Sequence, residues 1–166
     1  MTGGDGDEIR HRGCAYQVKS GALQLVLRNA WQTSQYTGIG MQLYILRHGI
    51  AEDGKAGGND SDRALTPEGK KKLREILRVA QQAGVSPKLM ISSPYVRAVE
   101  TAAIAAEVLG YKDTVLQTNV LIPSSDPKPV WDEIRVHKGE AELMLVGHEP
   151  LLSTLAGFLL PRRISM

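Results

Sequence analysis

The feature that most restricts the fold is a regular alternation of short apolar runs with longer amphipathic segments, which begins at Met41. Runs at 43–46, 88–91, 114–117 and 142–146 are apolar or β-branched, as expected of strands that are covered on both faces. Strands that alternate with helices form parallel sheets with right-handed crossovers. The sequence therefore predicts an α/β protein, a three-layer α/β/α domain with a mostly parallel central sheet.

Four helices are expected between and after these strands, the first two from their start signals. The first helix is expected to follow Thr66, which can cap it, and to have Pro67 at its first position. The second is expected to begin at Pro94, with Ser93 as its cap. The other two are expected at about 126–137 and 150–159.

Basic and imidazole side chains follow three of the predicted strands. Arg47 and His48 come directly after the first run, and His148 follows the last. Arg97 lies in the first turn of the second helix, where free backbone N–H groups also favour an anion. Because open α/β sheets bind ligands at the carboxyl ends of their strands, we expect these side chains to converge. Two guanidinium groups and two imidazoles at one place suit a phosphoryl group.

Each of these residues has a simpler interpretation when it is considered alone. His48 is compatible with a buried structural histidine, Arg97 with a surface arginine, and His148 with the entry to a helix. Independent surface placement does not predict three such residues at the ends of three strand-like runs. We therefore interpret them as one site.

Four segments follow one another along the chain: Arg47-His48-Gly49, Leu65-Thr66-Pro67-Glu68-Gly69, residues 92–102 with the sequence SSPYVRAVETA, and Val146-Gly147-His148-Glu149-Pro150. In this order they resemble the histidine phosphatase superfamily, also called phosphoglycerate mutase-like. The likeness is greatest to its short SixA-type branch of phosphohistidine phosphatases, and it extends from Met41 to about Leu160.

The resemblance implies a phosphatase that uses no cofactor and no metal. His48 would become phosphorylated, and water would then cleave the covalent intermediate. Arg47 and Arg97 would offset the phosphoryl charge, and His148 would bind a phosphoryl oxygen in the transition state. The same resemblance makes Gly49 part of the substrate-binding turn.

The proton donor to the leaving group is left open. Mutase-type relatives carry a glutamate after the third strand, where this chain has no acid before Asp126. Asp126 is a candidate donor and substrate contact. Three acids of the loop after the first strand are also candidates, although acids in Gly- and Asn-rich loops are usually turn formers: Asp53, Asp60 and Asp62. A phosphohistidine substrate needs such a donor less, because solvent can protonate the leaving imidazole.

The segment 118–141 has room for one helix but not for the long cap insertion of many small-molecule members. An uncapped site can admit a histidine side chain of another protein, which favours a protein of the histidine phosphotransfer type as partner and a role in signal transduction. A small phosphoester, as substrate of a broad phosphomonoesterase, is the alternative. Arg63 resembles a position typical of the SixA branch and is expected either to contact the substrate or to brace its loop.

Charge and cysteine content restrict partners and compartment. A net charge of +2 without a basic, aromatic-rich stripe argues against nucleic acid as a partner. The single Cys14 excludes an intrachain disulfide framework and favours a reducing compartment, here expected to be the cytoplasm. The apolar stretch 22–27 is too short to cross a membrane, so no membrane association is expected.

Three parts of the chain are expected. Residues 1–40 are predicted to be a non-native or disordered extension, because short family members commonly begin as the chain does at Met41. A transit peptide is the competing interpretation, against which the acids among the first residues count. Residues 41–160 form the phosphatase domain, and 161–166 a tail. Relatives continue with further strands, one beside the first strand, so we expect that edge to be exposed, and an inactive truncated fragment is the rival hypothesis.

Overall fold

The computed structural model describes residues 9–11, 14–16, 25–29, 41–54 and 56–159, the first three ranges by their backbone alone. Within these ranges the strands are β1 Ile9–His11, β2 Cys14–Tyr16, β3 Leu25–Asn29, β4 Gln42–Arg47, β5 Leu89–Ser92, β6 Leu116–Gln117 and β7 Glu142–Gly147. The helices are α1 Pro67–Gln82, α2 Val96–Leu109, α3 Pro127–Val136 and α4 Leu151–Leu159, with short 3₁₀ turns at Asp60–Asp62 and Asn119–Leu121.

The strands form one sheet in the order β1-β2-β3-β4-β7-β5-β6. The four strands β4, β7, β5 and β6 run parallel to one another, whereas the pairings β1–β2, β2–β3 and β3–β4 are antiparallel. The predicted three-layer α/β/α architecture with a mostly parallel sheet is confirmed. As a result, the carboxyl ends of β4, β7 and β5 lie side by side at one edge. His48 N donates to Gly147 O over 3.1 Å, and Ser93 N donates to Val146 O over 2.9 Å.

Alternating residues of the strands build two cores on opposite faces of the sheet. Tyr44 and Leu46 of β4 pack with α1 and α2, whereas Leu43 and Ile45 pack with α3 and α4. This alternation follows from the period of two in a strand, and both faces are apolar because both are covered. In the described part of the chain, no helix has both the length and the apolar character needed to span a membrane.

The predicted N-terminus is confirmed for α1 and wrong for α2. Thr66 caps α1 as predicted, since its Oγ1 accepts from Gly69 N over 2.9 Å. α2 begins at Val96 with Tyr95 as N-cap, not at Pro94 with Ser93 as cap. The reason is that the backbone of Ser93, directly after β5, is still bound to Val146 of β7.

The edge of β4, which was expected to be exposed, has a neighbour. β3 pairs with it antiparallel, with Val26 opposite Tyr44, so the expectation of an open edge is wrong. No strand follows α4 within the described residues. The division into an extension at 1–40, a domain at 41–160 and a tail remains a prediction. The expected tail at 161–166 lies outside the described residues, as does Leu160.

Candidate active site

His48, directly after β4, is fixed in the tautomer that a nucleophile needs. Its Nδ1 lies 2.7 Å from Gly49 O. A carbonyl oxygen can only accept, so Nδ1 carries the proton and Nε2 keeps its lone pair. Burial lowers the pKa of His48, and the positive charges of Arg97 and Arg47 lower it further, against the hydrogen bond to Gly49, which raises it. The ring is therefore held neutral.

Two helices hold the turn that follows His48. Gly49 N donates to Thr101 Oγ1 over 3.1 Å, and that hydroxyl donates to Arg97 O over 2.6 Å, so α2 holds the turn through Thr101. From α1, Gly69 approaches the same turn: a Cβ at Gly69 would lie 2.2 Å from Ile50 O. Only glycine permits this approach.

Arg97 is a buried residue of the site, so its interpretation as a surface arginine is wrong. Its side chain is 5% exposed, and its Nε lies 3.3 Å from His48 Nε2. The other end of the guanidinium is held by Asp60: Nη1 donates to the backbone oxygen, and Nη2 to Oδ2 over 2.7 Å. The guanidinium also lies over the Tyr95 ring, 5.1 Å from its centroid.

Asp60 links two arginines. Its Oδ1 accepts from Arg63 Nη1 over 2.8 Å, while Oδ2 accepts from Arg97. The hydrogen bond from Arg97 is the main cause that keeps the pKa of Asp60 below its usual value. A carboxylate that stays ionised is a poor proton donor. Arg63 also donates from Nε to Glu52 O over 2.7 Å, and so braces the loop.

His148 lies deepest in the site, with 1% of its surface exposed. Its ring centroid is 5.0 Å from that of His48. Burial is the main cause that lowers the pKa of His148 to about 3, and the neighbouring His48 and Arg97 act in the same direction. Nε2 lies 2.8 Å from Ser93 Oγ. Among the described residues, Nδ1 has no hydrogen-bond partner.

Comparisons with known proteins show which family the chain belongs to. Residues 43–119 match the family model of the histidine phosphatase superfamily (branch 1). An uncharacterised protein of Picosynechococcus sp. is 37% identical over 117 residues, which cover 70% of this chain and 71% of that protein. The chain belongs to the histidine phosphatase superfamily.

Solved structures support the SixA-type branch of this family. The protein histidine phosphatase SixA complexed with tungstate has a TM-score of 0.69 to this histidine phosphatase, at 27% identity, over 76% of this chain and 81% of SixA. A candidate α-ribazole-5′-phosphate phosphatase from Escherichia coli has a TM-score of 0.58 at 19% identity, over 72% of this chain and 79% of that one. The second likeness shows the fold alone.

This histidine phosphatase brings most of the predicted catalytic residues together but leaves Arg47 exposed. His48, Arg97 and His148 come together, and Gly49 forms the turn beside them. Arg47 is exposed at the end of β4, although its charge still acts on the pKa of His48. The catalytic roles of these residues remain predictions.

Asp126 and the loop acids have different surroundings. Asp126 is exposed at the N-cap of α3, makes no capping hydrogen bond, and forms no hydrogen bond or ion pair with the two histidines among the described residues. Asp62 binds its own loop, since its carboxylate accepts from Asn59 and Ser61.

Two contacts of this site were missed by the sequence analysis. Asp60 was considered only as a proton donor or turn former, and Ser93 only as a helix cap. The spacing of three residues between Asp60 and Arg63 could have indicated their ion pair. Nothing in the sequence relates Asp60 to Arg97, which lies 37 residues away.

Proposed function

We propose that this histidine phosphatase removes phosphoryl groups from phosphohistidine on proteins, through a covalent intermediate on His48. The observation that carries the proposal is the state of His48. Its Nδ1 proton is bound to Gly49 O, and its Nε2 faces the Nε of Arg97 at 3.3 Å. An unprotonated nitrogen beside a fixed cation is the arrangement that attack on a phosphoryl group requires.

The proposed reaction has two steps, in which the phosphoryl group passes first to His48 and then to water. The Nε2 lone pair of His48 attacks phosphorus, the bond from phosphorus to the substrate imidazole breaks, and that imidazole takes a proton from solvent. Arg97 neutralises charge on the phosphoryl oxygens, and the neutral imidazole of His148 binds one of these oxygens. Water then attacks phosphorus, the Nε2–P bond breaks, and inorganic phosphate leaves. His48 returns to its neutral form, which its lowered pKa favours.

The choice of a protein substrate rests on access and on the ionised state of Asp60, the carboxylate bound to Arg97. Between β6 and β7 the chain forms only a 3₁₀ turn and α3, so no long insertion covers the site. Asp60 is ionised by its two arginine partners and is unsuited to protonate an alkoxide leaving group. An imidazole leaving group does not depend on such a donor. The likeness to the protein histidine phosphatase SixA supports the same substrate class.

A small-molecule phosphomonoesterase is the second candidate. It is favoured by the likeness in fold to the candidate α-ribazole-5′-phosphate phosphatase. For the first candidate we further propose a cytoplasmic role in signal transduction, with a protein of the histidine phosphotransfer type as partner. That placement rests on the single cysteine and the open site.

Incubation with a ³²P-phosphohistidine protein and, separately, with an aryl phosphate tests the proposal. We expect faster release from the protein, and acid-labile, base-stable label on the enzyme after a rapid quench. His48→Ala should abolish the label and reduce turnover by about 10³-fold or more.

Arg97→Ala should reduce turnover far more than Lys71→Ala, because Lys71 is an exposed residue of α1. Label retained in His48→Ala would contradict the nucleophile assignment. Faster release from the aryl phosphate would favour the small-molecule candidate instead.

A further inference from the structure

Ser93 directly follows β5 and is fixed against the end of β7. It is fully buried, with 0% of its surface exposed. Its backbone N donates to Val146 O over 2.9 Å, which ties the end of β5 to β7 just before His148. Its hydroxyl accepts from Tyr95 N over 3.3 Å and lies 2.8 Å from His148 Nε2. The hydroxyl therefore has an N–H on one side and an imidazole nitrogen on the other.

The two neutral tautomers of His148 differ in how many buried polar groups they leave without a hydrogen-bond partner. If Nε2 carried the proton, it would donate to Ser93 Oγ, and two buried groups would lack a partner: the hydroxyl hydrogen of Ser93 and the lone pair of Nδ1. If Nδ1 carries the proton, the hydroxyl donates to Nε2, and only the Nδ1–H is left without a partner among the described residues. Buried polar groups without a partner are costly, so the second tautomer is favoured.

We propose that Ser93 is a positioning residue that holds His148 in its Nδ1–H tautomer, so that the nitrogen without a protein partner is a donor for a phosphoryl oxygen. This inference rests on the proposed function for the identity of the acceptor. The two imidazole rings are 5.0 Å apart, so a phosphoryl group on His48 is within reach of His148. A lone pair on Nδ1 would repel its oxygens, whereas an N–H binds them.

The tautomer can be measured without turnover. In the full chain labelled with ¹⁵N-histidine, NMR correlations between ring nitrogens and carbons at neutral pH report which nitrogen of His148 is protonated. We expect a protonated Nδ1 and an unprotonated Nε2 in the wild type, with the signals assigned by their loss in His148→Gln. Ser93→Ala should shift His148 toward the Nε2–H tautomer.

Ser92→Ala is the matched control. Ser92 is equally buried and adjacent, but its hydroxyl donates to Ser93 O over 2.9 Å and not to an imidazole. It should leave the tautomer unchanged. Turnover of phosphohistidine protein by Ser93→Ala should fall roughly tenfold or more, as for the loss of one oriented donor.

The outcomes separate this inference from the proposed function. An Nε2–H tautomer in the wild type overturns the inference, and so does an unchanged tautomer in Ser93→Ala. If Ser93→Ala does not fold, the tautomer of His148 measured in the wild type is by itself the test of the inference. An Nδ1–H tautomer that responds to Ser93→Ala in an enzyme without phosphatase activity supports the positioning role and rejects the proposed function. Turnover by a wild type in which His148 is the Nε2–H tautomer supports the proposed function and rejects the positioning role of Ser93.

Discussion

The contact between Arg97 and His48 governs how a phosphoryl group can enter the site. Arg97 has five N–H bonds, and three of them are directed at His48 Nε2, Asp60 O and Asp60 Oδ2. In the proposed mechanism, the lone pair that attacks phosphorus is thus the one that accepts from Arg97. A phosphoryl oxygen that takes over this N–H would have its charge offset by Arg97 and would free the lone pair of His48 at the same time.

Protonation of the buried histidines couples the site to the stability of the fold. In the unfolded chain His148 takes up a proton near pH 6.5, whereas in the folded chain its pKa is lowered to about 3. Between these values the unfolded state binds more protons, so the free energy of unfolding falls as the pH is lowered. His48, whose pKa is also lowered, acts in the same direction.

We therefore predict that His148→Gln weakens the pH dependence of stability. Between about pH 7.5 and about pH 5, His148 should account for about 2 kcal/mol of the loss in the free energy of unfolding. Urea unfolding of both proteins at the two pH values measures this difference. His137→Gln is the control, because His137 lies at the end of α3 and pairs with Glu133. An equal effect of the two substitutions would contradict the argument.

At the scale of elements, the sequence predicted the features that depend on residues close together in the chain. Thr66 caps α1 because the cap hydrogen bond spans only three residues, and the core strands follow from their apolar runs. Contacts between residues far apart in the chain determine the features that the sequence did not predict. The start of α2 is displaced by the bond from Ser93 to β7, and Asp60 enters the site only because its loop folds onto α2. No pattern within a window of the sequence encodes such contacts.

Gly69 should be intolerant of substitution although it lies in a helix. Alanine is preferred to glycine in a helix interior by about 1 kcal/mol, but here a methyl group would be 2.2 Å from Ile50 O, two residues after His48. Backbone must move, so we expect Gly69→Ala to destabilise the protein by about 1–3 kcal/mol and to lower turnover.

Gly157→Ala provides the comparison, since Gly157 lies in α4 and, among the described residues outside its own stretch of helix, no atom lies within 4 Å of the added methyl. It should be neutral or slightly stabilising in thermal unfolding. Equal tolerance at both positions would show that the turn after β4 is not held against α1.

At the scale of the whole molecule, β4 is an internal strand of the sheet. It lies between β7, to which it is parallel, and β3, to which it is antiparallel. The sequence suggested that the edge opposite β7 would be open, because relatives fill it with a later strand. Here the pairing comes from a segment that precedes β4 in the chain. The strand that carries His48 is thereby flanked on both sides.

Removal of β3 should therefore destabilise the domain that carries the site. A chain without residues 1–24 retains β3 (Leu25–Asn29), whereas a chain without residues 1–40 loses it and exposes the backbone of β4. At about 1 kcal/mol per hydrogen bond, we expect the second chain to lose on the order of 2 kcal/mol, which would lower its Tm by about 4–8 °C. It should also aggregate more readily. Calorimetry and light scattering of the two truncated chains beside the full one provide the test. Matching transitions in all three would contradict a role for β3 and would favour the interpretation of residues 1–40 as a dispensable extension.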